Sequence, residues 1–396
     1  MNAPTRINSA LDVRGQFPAI VDWHYLDSAA TAQKPQAVID AITEAYAHDY
    51  ATVHRGVYQR SSEMTGRYEA AREAASRLIG GEPNELIFTR GATEAINLVA
   101  RTLPKQGRNR VLLSSLEHHS NIVPWQLAGF AVDAVPLTAD GQIDLDAAQE
   151  MLTEEHRVVA FAHVSNVLGS VLNAKRAAEI AHAKGALLLL DGCQAVPRLP
   201  VNVAAIGADF YAYSSHKLYG PTGIGALWGR AELLDELPPW QGGGAMIEKV
   251  TFEGTTYLDG PARFEAGTPH IVGAVGLHAA IDWTQKLGLD AIHAHECALV
   301  AECRAALSGV GGVTVYGPED SAGIVSFNVD RVHPHDTATI LDDAGVAVRA
   351  GHHCAQPLMQ VLGVEATARA SFAAHSDSSD IAALVRGIEQ VKRIFA

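Results

Sequence analysis

Between about residue 85 and residue 230 the chain alternates short apolar runs with helical patterns, and this constrains its fold more than any other feature. The runs are NELIF at 84–88, RVLLS at 110–114, RVVAFAHV at 157–164, ALLLLD at 186–191, DFYAYS at 209–214 and GIGALW at 223–228. Because they are continuous and do not alternate with polar residues, both faces of each strand must be buried, as in a largely parallel sheet covered by helices. An open α/β domain follows. With 396 residues, 48% of them hydrophobic, the chain can bury a large core and build more than one domain. The pattern changes after about residue 285, giving a helix over 290–308, strand-like segments at 323–329 and 346–350, and an amphipathic helix over 380–394. We therefore expect a large α/β domain over 23–285 with a mostly parallel, seven-stranded type of sheet. A smaller α+β domain should consist of 286–396 joined by 1–22.

Polar clusters sit directly after the apolar runs. They are Arg90-Gly91-Ala92-Thr93, Glu117-His118-His119, Ser165-Asn166, Asp191 with Gln194, and Ser214 to Lys217. In an open parallel sheet ligands bind outside the carboxyl ends of the strands, so these clusters should meet at one crevice. The balance of 30 basic against 44 acidic residues gives −14, and no Lys/Arg-rich run tracks a phosphate backbone, so nucleic-acid binding is not expected. The first fifteen residues lack an apolar stretch of signal-peptide length and no later run is long enough to cross a bilayer. A soluble, cytoplasmic protein is expected, with no membrane partner. Cys193, Cys297, Cys303 and Cys354 form no CxxC pair, which argues against a disulfide framework or a zinc site. No metal is expected, and any cysteine chemistry rests on one thiol.

Lys217 follows a buried run and precedes the turn Tyr219-Gly220-Pro221-Thr222-Gly223; a lysine desolvated there can form a Schiff base, although most lysines are merely solvated. Asp191 ends the most apolar run, where a carboxylate needs a cationic partner such as a protonated pyridine nitrogen, or else caps the helix that follows. The turn through Gly91 into TEAINLVART offers helix N–H groups to an anion such as a cofactor phosphate. His118 can lie on a cofactor ring, or be a loop histidine satisfied by backbone. Cys354, in Gly351-His352-His353-Cys354-Ala355-Gln356-Pro357, lies in a loop, where neighbouring histidines can favour the thiolate. A His-His-Cys metal site is the alternative there, though three consecutive residues wrap an ion poorly. Arg369 can clamp a carboxylate in bidentate fashion, with Arg349 as competitor.

Taken together these residues resemble the cysteine desulfurases of the fold-type I pyridoxal-phosphate (PLP) enzymes, in the class V aminotransferase family, and specifically the group II, SufS-like branch. The resemblance runs from Tyr25-Leu26-Asp27-Ser28-Ala29-Ala30 through Val53-His54-Arg55-Gly56, His163-Val164-Ser165-Asn166, Asp191-Gly192-Cys193-Gln194, Ser214 to Pro221 and Glu265-Ala266-Gly267-Thr268-Pro269 to Arg349-Ala350-Gly351-His352-His353-Cys354. It implies that Lys217 holds the cofactor, Asp191 pairs with its pyridine nitrogen, His118 stacks on its ring and serves as acid–base group, and Gln194 donates to its phenolic oxygen. Thr93, Ser214 and His216 would hold the phosphate with the backbone N–H of Ala92, which stands where many members have threonine, and with Thr268 from the second subunit of a homodimer. Cys193 replaces a usual alanine, read as a packing change. The local sequence His375-Ser376-Asp377 also departs from the family. Asn166 and Arg369, or Arg349, would meet the substrate carboxylate. The implied reaction converts L-cysteine to L-alanine and leaves a persulfide on Cys354 for a SufE- or SufU-like acceptor, in iron–sulfur cluster assembly. A selenocysteine lyase or another PLP-dependent lyase or aminotransferase is the alternative within the fold, and a catalytically silent scaffold the alternative outside it.

Overall fold

The continuous apolar runs become strands that are buried along nearly their whole length. The computed structural model describes residues 11–395, so the first ten residues of the segment assigned to the smaller domain lie outside it. The strands are β1 (Leu86–Thr89), β2 (Arg110–Ser114), β3 (Ala131–Val135), β4 (His156–Ala162), β5 (Leu187–Asp191), β6 (Phe210–Ser214) and β7 (Gly225–Gly229). They form one seven-stranded sheet in the order β1-β7-β6-β5-β4-β2-β3. All residues of β4, β6 and β7 are buried. Alternate side chains serve two cores: Phe161, Leu190 and Tyr211 on one face, and Ala160, Leu189 and Phe210 on the other. Strands β2 to β6 pair parallel, whereas β7 pairs antiparallel with both β6 and β1. The chain between β6 and β7 is too short for the crossover that parallel pairing needs.

Strand β3 is the one the apolar pattern misses. It is a sheet edge, mostly exposed or half-buried, and its central Asp133 is held by Arg110 of β2 and by His156 Nε2 of β4 at 2.9 Å. An edge strand has no need of a continuous apolar run.

A second, four-stranded antiparallel sheet comprises β8 (Val313–Tyr316), β9 (Ile324–Val329), β10 (Arg349–Gly351) and β11 (Thr367–Ser371), in the order β8-β9-β11-β10. Its apolar residues pack with Leu299 and Leu307 of one long helix (Leu289–Val310) and with Leu384 and Ile388 of the last (Ser378–Ile394). The described part of the N-terminal segment runs onto this region. Phe17 and Ile20 pack with Trp283, Ala373 and Ala374, Arg14 pairs with Asp380 at 2.9 Å, and His24–Tyr25 pairs parallel with Val346–Ala347. Among the described residues no helix is long and apolar enough to cross a membrane.

Candidate active site

The carboxyl ends of the parallel strands open onto a cavity of about 230 Å³. It is lined by Ala92, Thr93, His118, Asn166, Asp191, Gln194, Ser214, His216, Lys217, Arg349 and Arg369. Residues from separate strand ends of the large sheet are thus brought together with two arginines of the second sheet. Thr268 is not among them: within one chain it lines another depression with Arg90, Glu94, Trp240 and Gln241. Ala29, Ala30, Ser120, Cys193 and His353 also line the cavity.

Lys217 closes a single turn of 3-10 helix after β6. The backbone is forced tight there: Tyr219 sits at φ +59°, and a side chain at Gly220 would stand 2.2 Å from Ser215 Oγ. Asp191, 6% exposed, ends β5 and accepts the N–H of Cys193 at Oδ1, 3.0 Å, so one carboxylate oxygen does the work of a turn cap. Gln194 Nε2 donates to Ala29 O at 2.7 Å. Cys193 is buried, its Sγ 3.5 Å from Ser214 Oγ, and burial pushes its thiol up to about 12, so it stays protonated.

The helix Ala92–Thr102 starts behind Gly91, whose φ of +151° and close approach to Ser214 Oγ, 3.1 Å from an added Cβ, favour glycine. The backbone N–H expected at Ala92 has a partner within the chain. The Ala92 N–H donates to Ser214 Oγ at 2.9 Å and orders that hydroxyl. Thr93, Ser214 and His216 remain as cavity-facing candidates.

His118 is carried by a loop locked beneath the cavity. Glu117, fully buried, accepts from Ser114 Oγ (2.5 Å), Asn121 Nδ2 (2.8 Å) and the Ala162 N–H (3.0 Å). The backbone N–H of Ser120 donates to His118 Nδ1 at 3.1 Å, which assigns the proton to Nε2. Burial first, then the charge of Lys217, lowers His118 to about 4. The imidazole is therefore neutral and presents an N–H donor.

Cys354 lies beside the cavity-lining His353 in the short stretch between β10 and the helix Gln356–Leu362. His353 and Cys354 adopt φ of +53° and +56°, unfavourable for both residue types. Four contacts hold them there. His353 Nε2 meets Thr367 O at 3.0 Å, His353 O accepts from Asn166 Nδ2 at 2.8 Å, Cys354 O accepts the His119 N–H at 2.7 Å, and the Gln356 N–H reaches His119 Nε2 at 3.1 Å. The expected electrostatic help from histidine is not found at His353. Burial drives it down to about 2, so it is neutral and serves to anchor the loop.

Arg369 is 2% exposed; its Nη1 donates to Asn166 O at 2.7 Å and its Nη2 to Asp27 at 2.9 Å. Burial, its largest influence, lowers it to about 10. Arg349 shares this wall and has no ion pair among the described residues. Two guanidiniums facing one carboxylate leave a net positive wall, which an incoming carboxylate would neutralise. Asp27 and Glu117 were within quoted motifs but gave no individual signal: Asp27 meets Arg369 far along the chain, and the Ser114 and Asn121 side chains that bond Glu117 are ordinary polar residues of its own loop.

The chain belongs to the aminotransferase class-V family, whose profile matches residues 24–384. It is 45% identical to a cysteine desulfurase of Dickeya dadantii, over 100% of this chain and 99% of that one. Among solved structures it resembles the cysteine desulfurase CsdA (S-sulfonic acid) of Escherichia coli, with a TM-score of 0.91, 39% identity, and 96% and 98% of the two chains covered. The apo structure of a cysteine desulfurase from Thermococcus onnurineus also gives 0.91, at 37% identity, covering 99% and 98%.

Proposed function

We propose that the chain is a PLP-dependent cysteine desulfurase that takes sulfur from L-cysteine and leaves L-alanine and a persulfide on Cys354. The observation that carries this reading is the meeting of Lys217, Asp191 and His118, from three strand ends, in a cavity lined by His353, whose pinned loop continues into Cys354. The donor set fits the cofactor. Lys217 offers an amine without an ion-pair partner among the described residues, Asp191 a buried carboxylate, and Thr93, Ser214 and His216 polar groups by a helix start. When bound, the cofactor supplies an electron sink that makes the substrate Cα–H acidic.

The protein residues do the rest. Arg369 and Arg349 bind the substrate carboxylate, with Asn166 beside them. Lys217 moves the Cα proton. The Cys354 thiolate attacks the substrate sulfur: the Cβ–S bond breaks, an S–S bond forms, and the carbon takes up a proton to become the methyl group of alanine. Neutral His118, with Nε2–H, steadies the sulfur as its bonding changes.

The same proposal places the chain in the group II, SufS-like branch, with the domains divided at 23–285 and 286–396 plus 1–22. It includes a homodimer in which Thr268 reaches the partner's cavity, and a SufE- or SufU-like acceptor feeding iron–sulfur cluster assembly. A nucleophilic thiol among four free cysteines suits the reducing cytoplasm. The test measures alanine and protein-bound persulfide together after L-cysteine is added to wild type and Cys354→Ser. Alanine made by the serine variant at the wild-type, acceptor-stimulated rate would overturn the mechanism; selenide release without dependence on Cys354 would favour the lyase.

A further inference from the structure

Gln194 is held from behind by a buried ion pair. Arg198 Nη1 donates to Gln194 Oε1 at 2.8 Å and to Gln194 O at 3.1 Å. Arg198 Nε stands 2.9 Å from Glu296 Oε2. Arg198 and Glu296 are 3% and 1% exposed. Arg198 follows β5, while Glu296 comes from the long helix Leu289–Val310 that covers the second sheet. The fold makes room for them at Gly323, φ +67°, where a Cβ would stand 2.3 Å from Glu296 Oε2 and 2.7 Å from Arg198 Nε.

A pair this deep is a poor stabiliser, because desolvation offsets the attraction and apolar residues of the same size often serve as well. Burial in fact lifts Glu296 to about 7 despite its partner. What the pair does accomplish is orientation. Arg198 has only donors, so Oε1 of Gln194 must face it; Nε2 then donates one hydrogen to Ala29 O and keeps one in a residue that lines the cavity. Without Arg198, Oε1 loses its one donor among the described residues, and the amide is free to turn.

We propose that Arg198, braced by Glu296, is a positioning residue that keeps an N–H of Gln194 presented to the phenolic oxygen of the cofactor. This rests on the PLP reading above. A donor there favours the ionised, long-wavelength form of the lysine-bound cofactor over the neutral, short-wavelength form, so the ratio of the two absorbances reports it. In holoenzyme loaded to equal cofactor content, Arg198→Met/Glu296→Leu should lower that ratio about tenfold, the factor of one lost hydrogen bond to a charged group. Gln194→Ala should lower it as far, and the triple variant no further, an equality that a merely structural role would not produce. If the double variant does not fold, Arg198→Lys replaces it, keeping a cation against Glu296 without the fork that reaches Gln194. An unchanged ratio, or a triple variant in which the effects add, overturns the inference. Wild type that shows neither band after loading overturns the PLP reading and this inference together, whereas a short-wavelength band alone in wild type overturns only the inference.

Discussion

Glu117→Gln isolates the charge of the carboxyl beneath the His118 loop. Burial, the largest influence, raises Glu117 from an ordinary 4.5 to about 7, against the pull of its bonds from Ser114, Asn121 and Ala162. A carboxyl raised on folding contributes stability that is fully present below its unfolded value and lost as pH rises through its folded value. Glutamine has the same size and does not titrate. Its hydrogen-bond mismatch, about 1–3 kcal/mol, is the same at every pH and drops out of the comparison. With the two values above, the advantage of wild type over the variant should shrink by roughly 2–3 kcal/mol between about pH 5 and pH 8. Urea unfolding of both proteins at the two pH values, followed by tryptophan fluorescence, measures it. An advantage that stays constant, or grows toward pH 8, would show that the three hydrogen bonds keep Glu117 ionised and that the burial argument is wrong.

Lys217→Ala should lose the visible absorbance of lysine-bound cofactor and all turnover; a variant that still consumes L-cysteine would refute its assignment. Asp191→Ala should retain cofactor yet lose activity by roughly two orders of magnitude or more, since an unprotonated pyridine is a poor electron sink, and near-normal rates would leave Asp191 only its bond to the Cys193 N–H. Because four contacts pin the Cys354 loop in place, alanine production should rise when a SufE- or SufU-like acceptor is added, and no rise in a steady-state assay would refute that. Thr268 should act across a dimer, so sedimentation that finds a fully active monomer would contradict it.

The continuous apolar runs revealed β1, β2 and β4 to β7 because burial on both faces leaves no freedom for polar residues, and they located the site at the strand ends. The same reasoning missed β3, whose edge position permits Asp133, β8, another edge strand that is half-buried or exposed, and β11, whose buried residues, TARAS, do not form an apolar run. The site residues were legible where a backbone constraint travels with the chemistry, as at Lys217 before its tight turn. They were illegible where the determinant is a long-range partner. Asp27 meets Arg369 across 342 positions, and no local pattern announces that. Nor could the sequence reveal that Ala92 gives its N–H to Ser214, or that His353 is neutral: both depend on what the folded chain excludes from water.

Asp133 on β3 bears on solubility as well as on the fold. Among the described residues the sheet has no further strand outward of β3, so a row of backbone groups could template addition of another chain. The middle of that row carries a carboxylate tied back to Arg110 and His156, which an incoming strand would have to bury. Asp133→Val would turn the strand into AVVAV, a five-residue apolar run at an open edge, and concentration-dependent light scattering should follow. The charge that hides this strand from an apolar search is the feature that keeps one molecule's sheet from growing onto another's.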